Sequence, residues 1–554
     1  MRITSIPQIY RHLNRWREIL AVLSKYELAG WIGRVGPESA KDLLKAARGG
    51  PALARMRWET RVRHALAELG PTFIKLGQIL STRPDLVGVE MTAELRHLQA
   101  HVPPDKPEVV RRLVEQELGR PIEEAFRDFE GEALASASIG QVHCAKLPTG
   151  EAVVVKVQRE GIEHKVAVDL DILAGLAMLA ERLPEFHNYR PRAVVAEFQR
   201  SIRREIDFQR ECRNMQQFRQ IFENNKGIHI PRPFPELSTR RVLVMERLRG
   251  IPLTETQRLT EAGADFDALA RRGAELCLEM IFQHGIYHAD PHPGNVLLED
   301  CGVIGLLDFG MVGRIDERLH EDVGDLLMAV TQLDAEHLVD LIVRLGDTPS
   351  ELDHGALEID VADFVAYYGN VPLDQFDLTG ALNEMIEVIR RYNIMLPSRI
   401  AMLLKALVTL EGTARFLSPR FSLVEVMKPY HKTMLWRRLS PRRRLRRYRR
   451  ILGEMERLLE MLPRGMMDIF QQVQSGRFDV HLDHRGLEPS VKQLVLGMLT
   501  SALFLGSSLL LSRDVPPVFR GISVPGALGA TVSIVLGFRL WRAIYKSGHF
   551  HRKP

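Results

Sequence analysis

The 554-residue sequence predicts an α+β fold of two lobes, preceded by a helical extension and closed by a C-terminal pair of apolar helices. Three observations carry that reading. The stretch H-A-D-P-H-P-G-N (His288 to Asn295) is followed after ten residues by L-L-D-F-G (Leu306 to Gly310). Upstream, E-A-V-V-V-K-V-Q (Glu151 to Gln158) is a β-branched strand interrupted by one lysine. Near the C-terminus, Leu494 to Ser512 and Gly521 to Phe538 run for nineteen and eighteen residues without a charge. The expected organisation is a basic amphipathic segment at 1–50, a helical extension at 51–130, the two lobes at 131–250 and 251–430, basic juxtamembrane helices at 431–489, and two transmembrane helices at 490–554.

The first segment is basic and apolar in a helical rhythm, with Ile9, Leu13, Trp16, Leu20 and Leu23 interleaved by Arg11, Arg15 and Arg17. Either an interfacial helix or ordinary docking onto the body fits that pattern. In the extension, G-P-T-F-I-K-L-G-Q-I-L-S-T-R-P-D-L (Gly70 to Leu86) reads as one amphipathic helix bracketed by Pro71 and Pro84. Lys75 and Gln78 are three apart and share a face, which on pattern alone is a solvated surface.

In the first lobe, Lys156 shares a strand face with Ala152 and Val154, opposite Val153 and Val155. A lone charge in so apolar a strand calls for a partner. The segment Ala193 to Met215 is the candidate helix, offering Glu205, Asp207 and Glu211. Just before the strand, where a Gly-rich phosphate loop would stand, the chain has L-A-S-A-S-I-G-Q-V-H (Leu134 to His143). Its alanines deny the positive-φ conformations that glycine permits, so a stiffer loop is expected. Ala135, Ser136, Ala137 and Ser138 are its phosphate-approaching residues. R-V-L-V-M-E-R-L-R-G (Arg241 to Gly250) runs from strand into turn and makes Glu246 and Leu248 candidates for a purine-binding hinge.

The second lobe carries the chemistry. Asp290 on a Pro-punctuated loop can accept a proton or orient a nucleophile, while Asn295 and Asp308 offer a neutral and a charged oxygen to Mg²⁺. Val296 to Leu298 and Val303 to Leu307 read as a hairpin that would bring both metal ligands to one end. This is how kinase-like folds hold a nucleotide's metal ions beside a catalytic carboxylate, so a two-lobed protein-kinase-like fold with ATP and Mg²⁺ as cofactors is expected. His288-Ala289-Asp290 lacks the arginine of H-R-D, and no A-P-E follows D-F-G-M-V-G, so activation-loop phosphorylation has no receptor.

Residues 431–554 hold 22 Lys and Arg against 8 Asp and Glu, a net +14 that leaves −9 for the rest of the chain. Nine arginines fall in Trp436 to Arg450. Each downstream apolar stretch is about long enough to cross a hydrocarbon core of roughly 30 Å. That context assigns the arginine run to anionic membrane lipid rather than nucleic acid. Arg539, Arg542 and Lys546 beyond the second stretch place both ends on the cytoplasmic side by the positive-inside rule. Gly497, Ser501, Gly506, Gly526, Gly529 and Gly537 would let two helices pack closely. Four cysteines, Cys144, Cys212, Cys277 and Cys301, show no paired spacing, which excludes a disulfide framework or zinc site. The first ten residues show no secretory signal pattern.

These residues resemble the UbiB family of atypical protein-kinase-like proteins. The likeness lies in K-L-G-Q (Lys75 to Gln78), A-S-A-S (Ala135 to Ser138), V-V-K-V-Q around Lys156, E-I-D-F-Q-R-E (Glu205 to Glu211), H-A-D-P-H-P-G-N, D-F-G and two C-terminal spans. The resemblance implies that the K-x-G-Q helix folds over the active site and occludes a protein-substrate groove. Lys75 and Gln78 would then join Asp290 in the catalytic set and engage the regulatory acids Glu205 and Asp207, and Glu211 would pair with Lys156. It further implies a bacterial inner-membrane ATPase, its catalytic domain facing the cytoplasm, that supports ubiquinone biosynthesis by giving pathway enzymes access to prenylated lipid intermediates. Prenyl-lipid or quinone intermediates and quinone-biosynthesis enzymes are the partners so implied, and a homodimer is compatible with it. Two other classes stand beside this one: a small-molecule or lipid phosphotransferase, and a nucleotide-binding pseudokinase scaffold.

Overall fold

Alternation along one strand sets the architecture of the first lobe. In the computed structural model, Val153, Val155 and Val157 of β3 (Ala152–Gln158) are wholly buried against Val110, Leu113 and Val114 of the helix Pro107–Leu118. Val154 and Lys156 therefore face the other way, toward the second lobe. The structure describes residues 13–29, 56–98, 103–183, 190–332, 334–349, 351–369, 371, 376–427, 487–513, 515–519 and 522–546. The arginine run and most of 431–489 lie outside these residues, as do Ile9 and Arg11.

β1 (Asp128–Ser136), β2 (Gly140–Lys146) and β3 form an antiparallel sheet completed by Val242–Glu246. A second sheet contains the expected hairpin, Val296–Leu298 paired antiparallel with Ile304–Leu306. Its flanks are Ile228–His229 and Ile251–Pro252. Helices Phe266–Glu279 and Ser398–Leu417 pack beneath the hairpin and share its apolar core. A separate cluster joins Ala335–Leu345, His354–Tyr368 and Leu378–Arg391 through Leu338, Ile342, Leu357, Val361 and Ile389. The result is a mixed α+β kinase-like fold with added helices before and after it.

The N-terminal helix α1 (Leu13–Lys25) docks onto the body. It buries Trp16, Ile19 and Leu20, and Arg15 grips the fully buried Asp169 at 2.7 Å while donating to the Leu69 carbonyl. The K-x-G-Q helix α2 spans Pro71–Leu80, starting at Pro71 and ending before Pro84 as the two prolines imply. It ends in a turn, and Pro84 begins a new short helix because proline is suited to a first helical position. Gly77 of that motif has a packing reason: a Cβ there would come within 2.1 Å of Leu98 Cδ1 and 3.0 Å of Leu66 Cδ1. Arg83 and Asp85, both buried, form a two-pronged pair at 2.9 and 2.7 Å, and Arg83 also donates to the Leu396 carbonyl. That pair ties the end of α2 to the loop before Ser398–Leu417.

A second compact unit covers residues 442–554. Its two described helices, Leu487–Ser512 and Val524–Lys546, pack as a hairpin in which a Cβ on Gly529 would meet Ser507 Oγ at 2.2 Å. Ser507 and Ser533 are buried, whereas Leu499, Leu505, Leu509, Leu528 and Ile534 are each more than 60% exposed. Within it, Val495–Ser512 is long and apolar enough to cross a membrane, and Val524–Leu540 is a shorter apolar helix.

Candidate active site

The strand lysine finds its partner where the chain breaks an expected helix. Instead of one helix from Ala193 to Met215, the chain forms α3 (Pro191–Glu205) and α4 (Phe208–Ile221). Asp207 causes the break: its carboxylate accepts from the Gln209 N–H at 3.2 Å and caps α4. An aspartate held at an N-cap satisfies an otherwise orphaned backbone donor. The kink frees the acids from a common helical phase. Glu205 closes α3 and pairs with Lys75, while Glu211, one turn into α4, meets Lys156 at 2.9 and 3.1 Å. Asp207 does not pair with Lys75: its Oδ1 caps α4 and its Oδ2 lies 3.8 Å from Arg213 Nη2, while Gln78 Nε2 donates to the Leu98 carbonyl at 3.4 Å instead of to either acid.

Asp308 completes this wall, with Oδ1 3.6 Å from Lys156 Nζ. It sits at φ 55°, a left-handed conformation stabilised locally by the Gly310 N–H donating to Oδ1 at 3.1 Å. Such positive φ values are commonest for Asp and Asn among non-glycine residues. Phe309, wholly buried, lies edge-on to Phe218 of α4 and to His288. The electrostatics follow from the contacts. The Lys156 ammonium holds the half-exposed Asp308 carboxyl well below the usual range. Burial, helped by repulsion from Asp308 and opposed by Lys156, pushes Glu211 up to about 7. For Lys156 the two acids outweigh desolvation and its pKa rises.

The catalytic loop is braced from inside. His288 Nδ1 accepts from the Asp290 N–H at 3.2 Å and Nε2 donates to the Leu307 carbonyl at 2.9 Å, which selects the neutral Nε2–H tautomer. Asn295 Nδ2 donates to the Asp290 carbonyl at 3.2 Å, leaving its amide oxygen as the acceptor. The Asn295 carbonyl receives the Leu307 N–H, so Asn295 and Asp308 stand at the same end of the hairpin. An acceptor amide and a carboxylate at one end of a hairpin are donor types that fit a hard cation completing its shell with phosphate oxygens and water, with Asp308 alone of the two lining the cavity described next. Among the described residues no group of three or more His, Cys, Asp or Glu side chains could hold a metal by itself.

A cavity of about 730 Å³ gathers most of these groups. Lys75, Gln78, Ala137, Ser138, Lys156, Glu205, Glu211, Asp290 and Asp308 line it. Lys75, read from pattern as a surface residue, is only 14% exposed, because α2 is folded across the opening rather than laid on solvent. Ala135 and Ser136 belong to β1 and stand outside the lining. Glu246 and Leu248 border a separate groove, where the Glu246 carboxylate accepts from the Arg232 N–H and approaches His229 Nε2 at 3.4 Å.

Two site residues escaped the sequence reading. Arg159, just past β3, donates to the Ala137 carbonyl at 2.9 Å, to Ser136 Oγ at 2.6 Å and to the Pro103 carbonyl at 2.8 Å, clamping the Ala-rich turn. Its only signal was a lone arginine ending an apolar strand. Lys405, on helix α5 (Ser398–Leu417), places Nζ 3.0 Å from Asp290 Oδ1 and lines the same cavity. Nothing near it in sequence announces that contact.

The chain is similar to known kinase-like proteins along most of its length. The ABC1 atypical kinase-like domain matches residues 97–342, the UbiB helical domain 361–422, and the ABC1/UbiB kinase-like C-terminal domain 481–546. A probable protein kinase UbiB from Xanthomonas campestris pv. campestris is 34% identical over 90% of this chain and 89% of its own length. An uncharacterised protein from the hydrogenase 1 5′ region of Clostridium pasteurianum is 31% identical over 88% of this chain and 93% of its own. A solved complex of Rv3197 with erythromycin from Mycobacterium tuberculosis is similar over 59% of this chain and 83% of that one, at 23% identity and a TM-score of 0.45. With the Lys156–Glu211 pair, the Asp290 loop, D-F-G and the covering K-x-G-Q helix around one cavity, and relatives of this identity along nearly its whole length, the chain belongs to the UbiB/ABC1 family of atypical kinase-like proteins.

Proposed function

We propose that the chain is a membrane-attached, ATP-dependent enzyme that hydrolyses nucleotide in support of ubiquinone, or a related prenyl-quinone, biosynthesis. The observation that carries this reading is the cavity, in which Lys156, Asp308 and Asp290 share one space with the apolar side chains Ile79, Leu98, Ile386, Leu404 and Val408. Lys156 would hold the nucleotide phosphates and Glu211 would hold Lys156. Asp308 and Asn295 would ligate Mg²⁺, which when bound neutralises charge on the phosphates. Asp290 would orient water and accept its proton. The apolar wall suits a prenylated intermediate, and α2 across the opening leaves a protein substrate no obvious approach.

The C-terminal helices support attachment, since they bury serines and expose leucines, the pattern of helices solvated by lipid. Anionic lipids of a bacterial inner membrane, prenyl-lipid intermediates and quinone-pathway enzymes are the proposed partners, with the kinase-like body on the cytoplasmic side. A lipid or small-molecule phosphotransferase is the second reading, favoured by the free volume beside Asp290. The test is phosphate release from Mg-ATP by the full chain in anionic vesicles, together with lipid mass spectrometry of a deletion strain. Phosphate release and one accumulated quinone precursor are expected. A phosphorylated lipid product would favour the second reading, and absence of nucleotide binding would remove both. Deleting 490–554 should abolish salt-resistant membrane binding while leaving a salt-sensitive remainder, at about 1 kcal/mol per basic residue near anionic lipid.

A further inference from the structure

We infer that Lys405 is a catalytic residue whose ammonium meets the transferring γ-phosphoryl group beside Asp290, a cation delivered by the helical region instead of by the catalytic loop. The inference rests on the nucleotide-hydrolysis reading above and extends it to a residue outside every kinase-like motif in the sequence.

The loop itself contains no such charge. Between Asp290 and Asn295 the sequence is D-P-H-P-G-N, with neither lysine nor arginine, and His292 Nδ1 is occupied in accepting the Gly294 N–H at 3.0 Å. Ala289 is completely buried and apolar. Charge developing on the phosphoryl oxygens at the Asp290 side would therefore meet no loop cation.

Helix α5 supplies one. Of its residues that line the cavity, Ala401, Leu404, Val408, Thr409, Gly412, Thr413 and Phe416 are uncharged, and Lys405 alone carries charge. Its side chain is 16% exposed and that of Asp290 29%, and both line the cavity, so the 3.0 Å pair stands at the cavity wall. Desolvating a lysine within an apolar stripe is costly unless the charge is used or paired. The helix is also pinned to the loop it serves, because Thr413 Oγ1 donates to the Pro291 carbonyl at 2.9 Å. The remaining cavity lysines are held elsewhere, Lys156 by Glu211 and Lys75 by Glu205.

A lysine ammonium has three donors, so Lys405 can keep Asp290 Oδ1 while presenting another N–H to a phosphoryl oxygen. The step balances as follows. The water oxygen bonds to the γ-phosphorus while the bond from phosphorus to the β,γ-bridging oxygen breaks, its electron pair leaving with ADP. One water proton passes to the Asp290 carboxylate, and Lys405 stays protonated throughout while stabilising the equatorial charge.

The full-length protein and its Lys405→Met and Lys405→Arg variants should be compared for Mg-ATP turnover, Mg-ATP affinity, affinity for Mg-ADP with fluoroaluminate as a mimic of the planar phosphoryl group, and melting temperature. Lys405→Met should lower kcat about 10²-fold or more and weaken fluoroaluminate binding in proportion, while Mg-ATP affinity stays within about threefold. Lys405→Arg should recover at least about tenfold of the lost rate. Unchanged turnover in Lys405→Met would overturn the inference. So would equal weakening of ATP and fluoroaluminate complexes with a lowered melting temperature and no rescue by arginine, which would make Lys405 an anchor of α5. Wild-type protein that binds Mg-ATP without hydrolysing it would instead overturn the hydrolysis reading, and the role of Lys405 with it.

Discussion

On one wall of the cavity, Lys156, Glu211 and Asp308 come from β3, α4 and the turn after the hairpin, all inside the two lobes. On the rest of the lining, Lys75 comes from α2 in the helical extension before the lobes, and Lys405 comes from α5 near the C-terminal end of the second lobe. Both walls use lysine–carboxylate pairs, yet they depend on different things. The first is fixed by strand alternation, a capped helix start and a hairpin, so its geometry survives as long as the lobes fold. The second requires that these helices dock correctly, through Arg83 and Asp85 to Leu396 and through Thr413 to Pro291. Point changes on the first wall should remove one chemical function each, whereas changes on the second should alter which ligand state is favoured.

The largest effect expected is from Asp290→Asn, which sits where the two walls meet. Loss of a proton acceptor costs about 10²–10⁴-fold in rate, and nucleotide affinity should barely move. Single-turnover hydrolysis measured beside equilibrium binding checks both halves, and an unaltered rate would take Asp290 off the catalytic list. Asp308→Asn sharpens the contrast on the first wall by removing the charged metal ligand with little change of shape. Contacts to charged groups are worth about 1.5–3 kcal/mol, so Mg-ATP should bind about 30-fold more weakly at limiting Mg²⁺. Titration against Mg²⁺ should show the loss, and equal affinity would break the D-F-G assignment.

Lys75→Ala tests the second wall. A surface lysine would change stability by no more than about 0.5 kcal/mol and leave nucleotide chemistry alone. Here the change leaves Glu205, 24% exposed, without its cation in a cavity that also holds Asp308 and Glu211. The ratio of ATP to ADP affinity should shift by about tenfold, and self-phosphorylation should appear or rise as α2 loosens. If the affinity ratio, hydrolysis and self-phosphorylation all match wild type, α2 is a bystander and the comparison between walls collapses.

Legibility in the sequence divides along the same line. Asp290, Asn295 and Asp308 could be read because their spacing maps directly onto one loop and one hairpin, with no tertiary knowledge needed. Lys156 could be read because a charge among valines at period two is anomalous by itself. The division of labour among Glu205, Asp207 and Glu211 could not be read from a continuous helix, since the kink at Ile206 resets the phase; Asp207 as a capping residue was the available signal. Lys75 looked like surface because helical pattern reports which residues share a face and not what covers that face. Lys405 gave no signal at all, because its position beside Asp290 exists only once α5 has packed under the hairpin.

The smallest effect concerns Glu211, and it separates the walls by pH. Its carboxyl is pushed up to about 7, chiefly by burial, while Asp308 on the same wall is held low by Lys156. A carboxyl raised above its unfolded value contributes stability that is fully present below the unfolded pKa and lost as pH rises through about 7. Asp308 runs the other way: its contribution is present above the ordinary carboxylate range and lost only as pH falls through and below it. Between about pH 4.5 and 7, wild type should therefore lose stability relative to Glu211→Gln, which cannot titrate, and the two should run parallel above that window. Turnover has the opposite slope, because only ionised Glu211 holds the Lys156 ammonium by charge. It should rise severalfold between about pH 6 and 8, and the rise should flatten in Glu211→Gln at a lower plateau. Urea denaturation and initial rates across that range measure the two slopes. A rise that persists unchanged in Glu211→Gln would move the titrating group to another residue of the cavity and leave the Lys156–Glu211 pair a structural contact.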